Sequence, residues 1–170
     1  FLDKMAALSR HRVSTIPRTI AAADLDMPLH ALRLNDFDII AEIKNSSPSE
    51  GPLASAGEDR CARARNYAHG GAAAISVLTE PSAFGGELQH LREVVDALSG
   101  QDVPVMRKDF LIDPLQILEA RAAGASGVLL IAAMLSDAEL EAMLDCAYEH
   151  SMSVLLESFD ETDLNRCVAL

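Results

Sequence analysis

The sequence has no tryptophan, two tyrosines and five phenylalanines, so aromatic residues make up 4% of its 170 positions. A core with so few rings must come from aliphatic packing, and 49% of the chain is hydrophobic. Positive charge is also scarce: 14 Lys and Arg stand against 26 Asp and Glu, a formal net charge of −12. That balance excludes nucleic acid and anionic membranes as main partners. Any anionic substrate must then be met by a few locally placed cations. The three cysteines, Cys61, Cys146 and Cys167, form no CxxC and are expected to be reduced structural thiols in the cytoplasm. No apolar run reaches membrane-spanning length, and the first residues do not read as a signal peptide. His11, His30, His69, His90 and His150 lack ligand spacing and are expected on the surface. The chemistry anticipated below calls for no metal and no cofactor. The chain opens on Phe1 rather than Met and ends at Leu170 inside a helical pattern, so both ends read as cut.

What is present is organised around Ile39-Ile40-Ala41-Glu42-Ile43-Lys44, which runs into the turn cluster Asn45-Ser46-Ser47-Pro48-Ser49. The apolar run has strand length. On a strand, residues two apart share a face, so Glu42 and Lys44 project together. Charge inside a β-core is costly unless paired. The stretch therefore reads either as an edge strand with a wet face or as a central strand opening into a catalytic pocket. The apolar neighbours favour the second reading.

At this length the chain supports one domain with a sizeable core. Residues 1–38 are expected to form a helical extension: a short amphipathic helix over 2–8, then an irregular stretch with two prolines over 14–34. After the strand at 39–44 comes a Ser/Pro/Gly-rich loop, 45–57, long enough to suggest a functional role. Helices are then predicted over 58–69, 87–98, 114–123, 136–150 and 161–170, with strands over 72–78, 104–107, 127–132 and 153–156. Pro114 at a first helical position, a Ser136/Glu139 capping box and Asp160 as a cap support the later helices. The strands are apolar throughout, as in a parallel sheet covered on both faces. Two architectures fit, a doubly wound open sheet and a (β/α)8 barrel. No GxGxxG or Walker loop follows the first strand. Charged residues stand instead at several strand ends (Glu42 and Lys44, Lys108, Glu157), the habit of a TIM barrel.

The residues also carry a family likeness. Ile40-Ala41-Glu42-Ile43-Lys44 with Ser47-Pro48-Ser49 resembles the first-strand signature of indole-3-glycerol phosphate synthase. Ala73-Ala74-Ile75-Ser76-Val77-Leu78-Thr79 with Phe84-Gly85-Gly86 resembles the second strand and its loop. Pro104-Val105-Met106-Arg107-Lys108-Asp109-Phe110-Leu111-Ile112-Asp113-Pro114, with Gln116-Ile117 and Glu119-Ala120-Arg121, is similar to the third. Gly124-Ala125 into Val128-Leu129-Leu130-Ile131, and Leu155-Leu156-Glu157, resemble the fourth and fifth. The likeness runs from Ile39 to the end. Asn45, Glu50, Ser158 and Phe159 depart from the family pattern, which touches loop electrostatics and substrate affinity. The family continues through three further strands with phosphate-binding turns, so 39–170 is expected to supply the (β/α)1–5 portion of the barrel.

The resemblance implies a fold, a reaction and roles. The fold is a (β/α)8 barrel. The reaction closes the indole ring of 1-(2-carboxyphenylamino)-1-deoxyribulose 5-phosphate with loss of CO2 and water. Ring closure needs an acid at the ketone oxygen, and a lysine held in a low-dielectric pocket can supply it. A lysine point charge suits a carboxylate that must leave. By resemblance, Lys108 is the general acid and Glu157 the general base. Lys44 holds anionic groups and exchanges protons, with Glu42 as its partner. Ser47 binds phosphate, while Phe84, Phe110 and Leu129 line the slot for the aromatic ring. Asp109 is expected either to position the loop of Lys108 or to touch substrate. The expected partner is a small phosphorylated anion, with other tryptophan-pathway enzymes as candidate associates. The alternatives are a related phosphosugar barrel isomerase or aldolase, against which the Glu42/Lys44/Lys108/Glu157 set argues, and a catalytically silent fragment or subunit. The 170 residues alone are expected to show little activity.

Overall fold

In the computed structural model, which describes residues 1–35, 37–49, 51–53 and 59–169, five long parallel strands form one sheet. They are β1 (Ile40–Ile43), β4 (Ala74–Leu78), β5 (Val105–Lys108), β6 (Gly127–Ile131) and β7 (Ser153–Glu157). Their spatial order is their chain order, β1-β4-β5-β6-β7. A doubly wound sheet reverses order part-way along the chain. Here every crossover steps the same way, and right-handed crossovers then place all the helices on one face. That winding belongs to a (β/α) barrel, not to an open doubly wound sheet.

Two periodicities sort the strand residues. Ile43, Ile75, Val77, Val105, Val128 and Leu130 face the helices and pack with Leu91, Ile117, Leu140 and Met143 in one buried core. Their neighbours Ile40, Glu42, Ser76, Met106, Leu129 and Leu155 line a cavity on the other face. Helices therefore cover one face of the sheet, and the other lines the lumen, as the barrel expectation requires. β7 is only half-buried along its length.

The helices are α1 (Leu2–Val13), α2 (Arg60–His69), α3 (Pro81–Phe84), α4 (Leu88–Ala97), α5 (Pro114–Ala122), α6 (Asp137–Glu149) and α7 (Glu161–Ala169). Local chemistry sets their starts. Asp59 accepts from Cys61 N at 2.9 Å, Asp113 from Leu115 N at 2.8 Å and Asp160 from Asp163 N at 2.8 Å. Ser136 and Glu139 form the anticipated reciprocal capping box. α1 is longer than expected, because Met5 and Ser9 bury one face of it through several turns. Residues 14–34 contain a single 3₁₀ turn, Ala22–Leu25. That stretch is fastened at the amino ends of the strands, where His30 N donates to Ser126 Oγ at 3.1 Å. Glu50, residues 54–58 of the long loop and Leu170 lie outside the described residues.

Two small elements escaped the sequence reading. The loop after β1 holds a two-residue ladder, β2 (Ser46–Ser47) with β3 (Gly51–Pro52). The loop after β4 holds α3, whose N-cap Glu80 accepts from Ser82 N at 2.9 Å and Ala83 N at 2.6 Å. α3 ends at Gly85, which is left-handed at φ 61°. Gly86 turns the chain back so closely that a Cβ there would run into the Leu78 carbonyl and sit 2.7 Å from Thr79 C. Gly86→Ala is accordingly expected to cost about 1–3 kcal/mol, the usual range for overpacking, read as a lowered urea midpoint. An unchanged midpoint would contradict this close approach.

Candidate active site

Because the five strands are parallel, their carboxyl ends open at one mouth. Lys108 and Glu157 are the last residues of β5 and β7, and the β1 end carries Glu42, with Lys44 just beyond it. Register steps them along the mouth: Glu42 pairs with Ser76, Leu78 with Lys108 and Ile131 with Glu157. All four charged residues line a single cavity of about 450 Å³. Phe84, Phe110 and Leu129 line it as well. Lys108, expected in a loop, stands on the strand itself, which holds its backbone more firmly.

Glu42 is the electrostatic hub of the mouth. Its Oε2 is 2.5 Å from Lys108 Nζ and its Oε1 is 3.0 Å from Lys44 Nζ, so one carboxylate bridges two ammonium groups. Burial alone would push the carboxyl up. Hydrogen bonds from Lys108 and Lys44, with the attraction of both charges, outweigh that and hold it below the ordinary carboxylate value. Among the described residues no side-chain hydrogen bond or ion pair engages the Glu157 carboxylate, which leaves it available to the cavity.

The apolar wall is aromatic. The rings of Phe84 and Phe110 lie 6.1 Å apart at 31°, and Phe1 meets Phe110 edge-on at 5.8 Å. Phe159, one of the departures from the family pattern, also lines the cavity. Ser47 does not join the residues lining it: the side chain is buried in β2, with Oγ 2.9 Å from Ser49 Oγ. Asn45, another departure, donates from Nδ2 to Gly85 O at 2.8 Å and ties the loop after β1 to the loop after β4.

Behind the wall lies a buried polar network. Asp109 borders the cavity, but its carboxylate is buried and engaged by the protein. Its Oδ1 accepts from Phe110 N at 2.8 Å and Arg12 Nη2 at 2.6 Å, and its Oδ2 from Thr79 Oγ1 at 2.7 Å and Arg107 Nη2 at 3.1 Å. Arg107 also donates to Thr79 Oγ1 at 3.1 Å and to Glu119 Oε2 at 2.7 Å. Gln116 accepts from Ile112 N and donates to Ser9 Oγ, both at 2.9 Å. These residues fix the segment that carries Lys108 and Phe110. Arg107 could have been found, since period two places it opposite Lys108 and demands acidic partners on the helix side. Arg12 had no local signal.

The profile of the indole-3-glycerol phosphate synthase family matches residues 12–170. The chain is 48% identical over 153 residues to the indole-3-glycerol phosphate synthase of a Nocardioides species, covering 88% of this chain and 57% of that protein. It is 45% identical over 168 residues to the synthase of Paenarthrobacter aurescens, covering 99% and 60%. For the Methanopyrus kandleri synthase the figures are 50% over 120 residues, 70% and 46%. The chain thus spans well under two thirds of each relative's length. Among the described residues no helix is long and apolar enough to cross a membrane.

Because the folded Glu42 carboxyl titrates below its unfolded value, its stabilising contribution is present above about pH 4.3 and is lost as pH falls through the folded value. The gap in urea midpoint between wild type and Glu42→Gln is therefore expected to be widest near about pH 7 and to shrink towards about pH 3. A gap constant over that range would contradict the pairing.

Proposed function

The chain belongs to the indole-3-glycerol phosphate synthase family, and from that premise we propose that its cavity closes the indole ring of 1-(2-carboxyphenylamino)-1-deoxyribulose 5-phosphate. The observation that carries this reading is the Glu42 carboxylate bridging Lys44 and Lys108 at the mouth that Glu157, Phe84, Phe110 and Leu129 also line. The aromatic ring lies in the slot between Phe84 and Phe110. The ring carbon bearing the carboxylate bonds to the ketone carbon, and Lys108 delivers a proton to the ketone oxygen as negative charge builds there. The carbon–carboxylate bond then breaks, CO2 leaves, and its electrons return to the ring. The new hydroxyl takes a proton from Lys44 and leaves as water, while Glu157 takes a proton from the adjacent carbon, which completes the pyrrole.

Glu42 has two jobs in this scheme. It keeps both ammonium groups aimed at the cavity before substrate arrives, and it yields one of them to the incoming carboxylate. Lys44 takes that carboxylate as a point charge, holding it without a two-pronged grip that would oppose its loss. Ser47, buried beside the mouth, is the residue we assign to the phosphate end, through a small movement of the 46–49 turn. The setting is the cytoplasm, where the three unpaired thiols stay reduced. Other enzymes of tryptophan synthesis are candidate associates.

The test joins residues 1–170 to the part of the Nocardioides synthase beyond the matched span and follows indole fluorescence from the anilino substrate. Turnover is expected in the joined protein and little from this chain alone. Lys108→Ala is expected to lower kcat by roughly 10²–10⁴, the range for a lost general acid. Turnover indifferent to Lys108→Ala, or none in the joined protein, would overturn the assignment.

A further inference from the structure

We propose that Arg12 is a positioning residue that sets the width of the aromatic slot by tying the loop after β4 to the loop after β5. The guanidinium reaches from α1 and divides its two arms. Nη2 lies 2.6 Å from Asp109 Oδ1, and Nη1 lies 3.5 Å from Glu80 Oε1. Both carboxylates have no solvent exposure, so each depends on partners supplied by the protein. Asp109 takes the backbone N–H of Phe110, and Glu80 takes the N–H groups that start α3, the helix ending in Phe84. One cation therefore stands behind both rings of the slot, whose centres are 6.1 Å apart. Arg12 Nε is buried without a partner among the described residues, so the side chain's polar contacts are spent on these two arms.

The two loops depend on Arg12 unequally. Asp109 keeps Arg107 and Thr79 if Arg12 is removed. Glu80 loses its only ion pair among the described residues. Loss of Arg12 thus frees the Phe84 side of the slot while the Phe110 side stays held. A lysine at this position carries the charge but not the fork that straddles two carboxylates.

This inference rests on the proposed function only for the ligand class, an aromatic ring bearing a carboxylate. The probe is 2-aminobenzoate, whose own fluorescence is read without interference because the chain has no tryptophan. In Arg12→Met the amides of Ser82 and Ala83 are expected to exchange roughly tenfold faster, as for a lost hydrogen bond to a charged group, with β4 and β6 amides unchanged. The nuclear Overhauser contact between the Phe84 and Phe110 rings is expected to vanish, and the 2-aminobenzoate Kd to rise roughly tenfold. Arg12→Lys is expected to give the same local pattern with a smaller loss of global stability, which keeps the test usable if the Met variant does not fold. Faster exchange spread evenly over the sheet, or an intact ring contact with unchanged affinity, would overturn the proposal. Failure of wild type to bind 2-aminobenzoate would count against the function assignment, and the amide pattern and ring contact would then decide the role of Arg12 on their own.

Discussion

The carboxylate of Asp109 is wholly shut off from solvent and lies between two guanidinium groups. Burial of a charge costs several kcal/mol after relaxation, so its partners cannot be optional. Here they come from three places: Arg12 on α1, Arg107 on β5 and Thr79 just after β4. Satisfying one carboxylate therefore fixes the extension, the strand and a loop against one another. The same carboxylate, on the residue next to Lys108, holds the Phe110 amide. The candidate acid stands beside a charge that is itself shut off from solvent.

Much of the site was legible because charge inside an apolar strand has few places to go. Glu42 and Lys44 in their run of Ile and Ala had to face a cavity or water, and the cavity is where they stand. Lys108 and Glu157 followed from the same logic, reinforced by long matching motifs. The partners behind the wall were another matter. Arg12 meets Asp109 across 97 residues, and no periodicity carries information over that span. Ser47 was read from a motif that says nothing of which way a hydroxyl in a tight ladder points. β2 and β3, at two residues each, are too short to leave a pattern. α3 could have been seen, since Glu80-Pro81 is an N-cap followed by proline at the first helical position.

The mouth is less cationic than two lysines suggest. Glu42 cancels one positive charge, and Glu157 balances the other. In a chain of formal net charge −12, the positive charge at the mouth is thus local and already paired. The departures from the family pattern act in the same direction. Asn45 links two loops through a neutral amide, and Phe159 adds apolar surface to the lining. The character of the mouth is thus set by a few paired charges and an apolar lining.

The reach of α1 across the sequence also bears on how the chain comes off the ribosome. Ser9 and Arg12 meet Gln116 and Asp109 across 107 and 97 residues, while each β/α unit packs on the one made just before it. At about 5–20 residues per second, α1 waits on the order of 5–20 s for its seat to be synthesised. During that interval Met5 and the rest of its apolar stripe have nothing native to rest on. The nascent helix is therefore the segment most in need of a chaperone's cover, and its docking is a late event that locks the loops around the mouth.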